Sequence, residues 1–159
     1  MEYKVTEIKD NQIDFGNMDN SFFLIGLLNE FMNRFQSVGD RFFKEISWKQ
    51  CFVLICIKFF KTPPTLKELS MLMGSSHQNI KVMLNKLEKL GYIQFINDDF
   101  DKRKKRIILT NQAIEFDQQH AKQSNEMMKE LFSNVDVQDL QITIKTITKL
   151  DDNLKEMQK

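Results

Sequence analysis

The sequence predicts a mainly α protein with a small β wing, in which a winged helix-turn-helix lies between N- and C-terminal helices. Two helical patterns joined by Gly-Ser-Ser occupy the middle of the chain, between Thr65 and Gly91. Two short β-branched and aromatic runs follow and enclose a highly charged tip, which indicates a hairpin. Long amphipathic patterns stand on both sides of this stretch, so we expect flanking helices to hold it.

Length and composition limit the possible classes of protein. The 159 residues are of single-domain size, so one domain is predicted over residues 1–159. With 42% hydrophobic and 28% charged residues, the chain falls in the soluble globular range. No basic cluster precedes an apolar stretch at the start, so no secretory signal is predicted. We expect a cytoplasmic protein with no membrane partner, and its cysteines, Cys51 and Cys56, as free thiols.

The first predicted helix follows a polar lead-in. Residues 1–18 lack sustained periodicity and are expected to form either a loose arm or a partly ordered lead-in. Apolar residues then recur at intervals of three and four from Asp19 or Asn20, which predicts an amphipathic helix to about Val38. Gly39 is expected to interrupt this helix before the apolar stripe continues.

Two capping boxes predict where the next two helices begin. Ser47 with Gln50 begins a helix that is apolar nearly all round, and such a helix belongs in the middle of a core. Thr65 with Glu68 begins a shorter helix. This helix is predicted to end at Gly74, because glycine readily adopts the left-handed conformation that follows a helix.

The fourth helix carries the first candidate site. It is predicted to begin at Ser75 and to run to about Leu90. With Ile80 at the centre of the inner face, the helical spacing assigns four further core positions: Met83, Leu84, Leu87 and Leu90. The opposite face and the first turn give the predicted DNA contacts: Ser76, His77, Gln78, Asn79, Lys81, Val82, Asn85 and Lys86. Such side chains contact base edges and phosphates in a major groove, although any solvated helix surface has a similar composition.

The hairpin tip is the second candidate site. Between Asp101 and Arg106 five basic residues oppose one acidic residue, a local charge of +4 in a chain of net charge +1. The predicted minor-groove and phosphate contacts are Lys102, Arg103, Lys104 and Lys105. Asp101 is expected to orient the Arg103 guanidinium through a charge-assisted hydrogen bond. A solvated charge run is the alternative interpretation.

Two further helices are predicted after the hairpin. One extends from about Asn111 to Phe132, and residues 134–136 break it. The last helix carries apolar residues at spacings of three and four from Val137 to Met157. Both patterns are amphipathic, so each helix needs a partner for its apolar side.

Residues 65–110 resemble the DNA-binding half of the multiple-antibiotic-resistance regulator (MarR) family. The matching motifs are LxxLSxxMGSS, QNIKVMLNKLEKLGYI, the triplet Asp101-Lys102-Arg103 and the closing Leu109-Thr110. The resemblance implies a homodimer with interlocking terminal helices, and double-stranded DNA as its partner. It implies a DNA-binding lobe at residues 47–110 and dimerisation helices at residues 19–46 and 111–158. In the family, the arginine aligned with Arg103 enters the minor groove and the helix aligned with residues 76–86 enters the major groove.

We therefore interpret the chain as a transcriptional repressor that binds a pseudo-palindromic operator as a homodimer. Several alternatives stay open: a redox sensor using Cys51 or Cys56, and a winged-helix protein-interaction module without DNA binding. The phenylalanines between Phe22 and Phe60 form either core and dimer interface or a pocket for a small aromatic or amphipathic effector. No enzyme, cofactor or metal site is predicted, because the sequence has no P-loop, no GxGxxG and no ligand spacing.

Overall fold

The computed structural model of the protein describes residues 18–158, so the predicted lead-in lies outside the described residues except for Met18. This part of the chain contains six helices and one two-stranded antiparallel sheet. The elements are α1 (Asn20–Phe42), α2 (Trp48–Lys58), α3 (Leu66–Leu72), α4 (His77–Lys89), β1 (Ile93–Asn97), β2 (Lys105–Leu109), α5 (Asn111–Leu131) and α6 (Val137–Met157). The predicted class, mainly α with a small β wing, is confirmed.

The chain divides into two compact units at the end of β2. The first unit, Met1–Leu109, contains α1 to β2, and the second unit, Thr110–Lys159, contains α5 and α6. The division falls one residue before the end predicted for the lobe at residues 47–110. The assignment of one domain to residues 1–159 stays a prediction.

Helix α1 does not end where the sequence predicts. It continues through Gly39 to Phe42, instead of ending near Val38. Gly39 is buried, and a Cβ on it would lie 2.8 Å from the Trp48 Cβ and 3.0 Å from the Trp48 Cγ. Asp40 Oδ1 accepts the backbone N–H of Trp48 at 2.6 Å. Glycine is therefore needed for the close approach of α1 to the start of α2, and not as a break in the helix.

The core of the first unit lies between α2, α3, α4 and the hairpin. Helix α2 contacts α1, α3, α4 and β2, as expected for a helix that is apolar on most sides. The largest fully buried side chains are Leu69, Ile80, Leu84, Leu87, Ile93, Ile107, Val53 and Pro64. On α4 the predicted core positions Leu84 and Leu87 are confirmed, and Met83 is half-buried. Leu90 is 38% exposed because it is the C-cap, outside the helix proper.

The turn between α3 and α4 differs from the prediction by one residue. Ser76, and not Ser75, is the N-cap of α4, and its hydroxyl accepts the Asn79 N–H at 3.2 Å. Ser75 belongs to the preceding turn, where its N–H donates to the Ser70 carbonyl at 3.1 Å. Gly74 has a φ of +57°, as expected for the glycine that follows a helix.

The hairpin is regular, and it is joined to the segment that precedes α3. Its register pairs Ile93 with Leu109 at one end and Asn97 with Lys105 at the other. The N–H of Ile107 donates to the Pro64 carbonyl at 2.9 Å. The wing is therefore connected to the helix-turn-helix through the backbone of β2.

The second unit consists of two capped helices. The Thr110 hydroxyl accepts the Ala113 N–H at 3.3 Å at the start of α5, which ends one residue before the predicted Phe132. Asp136 caps α6, where its carboxylate accepts the Gln138 N–H at 2.7 Å. No residue of α6 is buried. Within residues 18–158 no helix is both long and apolar enough to span a membrane.

Candidate nucleic-acid interface

Helix α4 exposes every residue that the sequence assigns to the first candidate site. Ile80, Leu84 and Leu87 anchor one side of the helix in the core, so the other side faces solvent. The exposed residues are Ser76, His77, Gln78, Asn79, Lys81, Val82, Asn85 and Lys86. Val82 is 59% exposed although it is apolar, as expected for a side chain that contacts a thymine methyl group.

The charge of α4 suits a phosphate backbone. The helix contains three lysines and one glutamate. Its N-terminus adds partial positive charge, because the first backbone N–H groups of a helix have no partner within it. One of these groups, the Asn79 N–H, donates a hydrogen bond to the Ser76 hydroxyl. Polar side chains, lysines and a helix N-terminus together form a surface that can contact both phosphates and base edges.

The tip of the wing is a closed loop whose cations project into solvent. The Asp98 N–H donates to the Lys104 carbonyl at 3.1 Å, and the Lys104 N–H donates to the Asp101 carbonyl at 2.8 Å. These bonds set the conformation of the loop. The four predicted contacts on it are all exposed: Lys102, Arg103, Lys104 and Lys105.

Asp101 contacts groups other than the predicted guanidinium. Its Oδ1 accepts the backbone N–H of Arg103 at 3.1 Å, and its Oδ2 lies 3.4 Å from the Lys104 Nζ. Within residues 18–158, no ion pair joins the Arg103 guanidinium to a carboxylate. The physical reason is the short separation of the two residues, which places the Arg103 N–H nearer to the carboxylate. Asp101 thus orients the backbone at Arg103, and the guanidinium keeps its donors for another partner.

Sequence reasoning missed an ionic cluster at the base of the wing. The Arg106 Nε donates to the Asp98 carboxylate, and the Arg106 Nη1 donates to the Pro63 carbonyl at 2.7 Å. Arg106 Nη1 also lies 3.8 Å from the Glu68 Oε2, a carboxylate oxygen of the α3 capping box. Three of the five basic residues of the tip therefore have a partner within the protein: Arg106, Lys104 with Asp101, and Lys105 with Asn97. The sequence held only part of the signal: Asp98 follows directly after β1 and Arg106 lies on the paired strand, but the strand register decides which aspartate Arg106 meets.

Asp98 holds the wing tip through its carboxylate. The side chain is 5% exposed, and its Oδ1 accepts the N–H groups of Asp101 at 2.8 Å and Phe100 at 2.9 Å. Hydrogen bonds from the Asp101 N–H, the Arg106 side chain and the Phe100 N–H lower the pKa of Asp98 to about 2. The carboxylate is consequently ionised at neutral pH, and it fixes the tip relative to the strands.

The remaining candidate groups are buried or dispersed. Cys51 and Cys56 are buried thiols, and burial raises the pKa of the Cys56 thiol. A raised pKa disfavours the thiolate that oxidants attack, so this environment does not favour redox sensing at Cys56. In the part of the chain that the structure describes, no group of three or more metal-ligating side chains is found.

Comparison with known proteins agrees with this geometry. The sequence model of the MarR family matches residues 46–105, which confirms the resemblance in the sequence. No curated protein sequence matches the chain at a significant level. A MarR protein from Peptoclostridium difficile has a similar structure, with a TM-score of 0.73 and 23% identity over 91% of this chain and 94% of that chain.

Two further solved structures are similar to the chain. The Staphylococcus aureus MepR–DNA complex has a TM-score of 0.75 and 19% identity, over 86% of this chain and 99% of that chain. The Streptomyces coelicolor PcaV regulator, in complex with its natural ligand, has a TM-score of 0.70 and 14% identity, over 88% of this chain and 96% of that chain. These likenesses show that the chain has the winged-helix fold with flanking helices.

Proposed function

We propose that the chain is a sequence-specific transcriptional repressor that acts as a homodimer on a pseudo-palindromic operator, because the MarR family model matches residues 46–105. MarR is a family of DNA-binding transcription regulators and not of enzymes. The observation that carries the proposal is the pairing, in one compact unit, of an exposed polar helix face with a cationic wing. A repressor acts where its operator lies, so we propose that the protein is cytoplasmic.

Each part of the interface has a proposed role. Helix α4 lies in the major groove, where Gln78 and Asn85 pair with adenine edges and Val82 contacts a thymine methyl group. The lysines of α4 and of the wing contact phosphates. Arg103 enters the minor groove, because its guanidinium is exposed on a tip whose backbone Asp101 holds. The MepR structure, which is a complex with DNA, supports DNA binding by this fold.

The homodimer is proposed from apolar surface that the single chain leaves exposed. On α6, Ile144 is 58% and Leu154 is 57% exposed, and on α1, Phe22 is 75% exposed. Exposed apolar surface of this kind marks interaction sites. A second copy of the chain that covers these faces would also bring two α4 helices to one duplex.

Release of the operator by a small aromatic or amphipathic effector completes the proposal. The PcaV structure, which contains its natural ligand, supports the binding of a ligand by a regulator of this fold. An effector changes the population of DNA-binding dimers only if it binds one dimer geometry more tightly than another. The effector therefore acts through differential affinity, and a ligand that binds both geometries equally does not release DNA.

Selection from a random pool of duplexes by the 159-residue chain tests the proposed specificity. The enriched sequence should be pseudo-palindromic, with half-sites about 10 base pairs apart, because two recognition helices meet successive major grooves. Gln78→Ala and Asn85→Ala should each relax preference at one position per half-site, by about 1–3 kcal/mol.

The matched control is Gln118→Ala, which removes an exposed glutamine of α5 and should leave the selected sequence unchanged. Enrichment of no sequence by the wild-type chain would contradict the proposal and would favour a protein-interaction module. Selection of the same sequence by the wild type, Gln78→Ala and Asn85→Ala would contradict the assignment of α4 as the recognition helix.

A further inference from the structure

Phe100 is an apolar side chain that the fold leaves almost fully exposed. It is 98% exposed, more than any other large hydrophobic residue within residues 18–158. It lies at the tip of the wing, between Asp99 and Asp101. A phenylalanine side chain contributes to stability mainly by burial, so this ring contributes little to the fold.

The backbone that carries Phe100 is held rigidly. Its N–H donates to the Asp98 Oδ1 at 2.9 Å, and Asp98 itself is 5% exposed. The same carboxylate accepts from the Arg106 Nε, while the Arg106 Nη1 donates to the Pro63 carbonyl at 2.7 Å. A chain of hydrogen bonds therefore joins the Phe100 backbone to the segment before α3, and a ring on a fixed backbone loses less entropy on binding.

The charges around Phe100 match a polyanion. Four exposed cations follow it at residues 102–105. Of the three neighbouring carboxylates, Asp98 is paired with Arg106 and Asp101 with Lys104, which leaves Asp99 against the three cations Lys102, Arg103 and Lys105. A single aromatic ring is too small to anchor a protein in a lipid surface. Duplex DNA fits both the charge and the size of the tip.

We propose that Phe100 is an apolar wedge that enters the DNA minor groove beside Arg103 and partly unstacks one base step. The inference rests on the proposed function and adds a source of specificity to it. Phenylalanine wedges in minor-groove proteins unstack and kink the duplex. A ring has no hydrogen-bond donor to distinguish bases, so it selects steps that deform easily, TA and CA/TG. Phe100 thus determines specificity where the wing contacts the operator, outside the bases that α4 contacts.

Anisotropy titration of the duplex selected by the wild-type chain tests the wedge. Phe100→Ala should weaken binding about 5- to 150-fold per subunit, the range for loss of one aromatic contact to a base. The slope of log affinity against log salt should stay at the wild-type value, because Phe100 neutralises no phosphate. Phe59→Ala is the matched control, since Phe59 is 69% exposed at the end of α2 in the same unit, and it should bind as the wild type does.

A 2-aminopurine at the deformable step next to the wing gives a second readout. Its fluorescence should rise when the wild-type chain binds, because unstacking relieves quenching, and should not rise with Phe100→Ala. If Phe100→Ala binds the duplex with wild-type affinity and gives the same rise in fluorescence, the wedge is overturned and the proposed function is left intact. A wild-type chain that selects no duplex would overturn the proposed function and the wedge together. If Phe100→Ala binds the duplex as the wild type does but has lost binding to anionic vesicles, the wedge is overturned and the ring contacts lipid instead.

Discussion

At the scale of single residues, the exposed face of α4 was predictable and the base of the wing was not. A spacing of 100° per residue places Gln78 and Asn85 opposite the buried Ile80, and the structure exposes both. In the wing, three aspartates stand within four residues, at positions 98, 99 and 101. The sequence does not reveal which of them is buried, because that depends on the position of Arg106 across the hairpin.

Asp98 is expected to make the fold sensitive to acid. Its pKa is lowered from 3.8 to about 2 by the Asp101 N–H, the Arg106 side chain and the Phe100 N–H. A carboxyl with a lowered pKa in the folded state stabilises the fold above pH 3.8, and this contribution is lost as the pH falls to about 2. Asp98→Asn should therefore lower the urea midpoint at neutral pH and lose less stability than the wild type between about pH 4 and about pH 2.

Asp99→Asn is the control for this measurement, since Asp99 is an exposed neighbour in the same loop. It should keep the pH dependence of the wild type. If the stability of Asp98→Asn also depends on pH as that of the wild type does, the buried ion pair does not stabilise the folded wing.

At the scale of elements, caps predicted most helix starts because the pattern is local. The boxes at Ser47 and Thr65 form as predicted, with Gln50 and Glu68 as partners. The cap of α4 was misplaced by one residue, because two adjacent serines offer the same pattern. Gly39 was predicted to interrupt α1 since glycine is a poor helix former, but a contact distant in sequence decides its role.

Gly39→Ala should destabilise the first unit. The new methyl group would lie 2.8 Å from the Trp48 Cβ, and a cost of about 1–3 kcal/mol is expected for overpacking of this kind. Gly26→Ala is the matched control, because a Cβ there meets nothing within 4 Å and α1 should gain about 0.5–1 kcal/mol. Urea unfolding measures both changes. Equal effects of the two substitutions would contradict the close packing of α1 on α2.

At the scale of the whole molecule, the sequence predicted amphipathic helices but not which of their residues stay exposed in one chain. Helix α6 has no buried residue, although Leu140, Ile147 and Leu150 are half-buried. Periodicity shows that a helix has an apolar face, but any apolar partner can bury that face. It therefore does not reveal how many copies of the chain assemble. The homodimer accordingly stays a prediction, with Ile144 and Leu154 as its most direct probes.

Ile144→Asp is expected to separate the homodimer. A carboxylate at this 58% exposed position would be buried without a partner in the assembled protein. Sedimentation equilibrium should show two chains for the wild type and one for the variant. Lys149→Asp adds the same residue about 140° away around α6 and should leave the wild-type mass unchanged. A monomeric wild type, or a dimeric Ile144→Asp, would contradict this interface.

Salt dependence of DNA binding tests the proposed interface most directly. For the selected duplex, the affinity of the wild-type chain should fall about 10³- to 10⁵-fold between about 50 mM and about 200 mM salt, as expected for six to ten phosphate contacts. Arg103→Ala should bind more weakly and reduce the salt slope by about one per subunit. An affinity that does not change with salt, or an Arg103→Ala variant with wild-type affinity and slope, would contradict DNA binding through α4 and the wing.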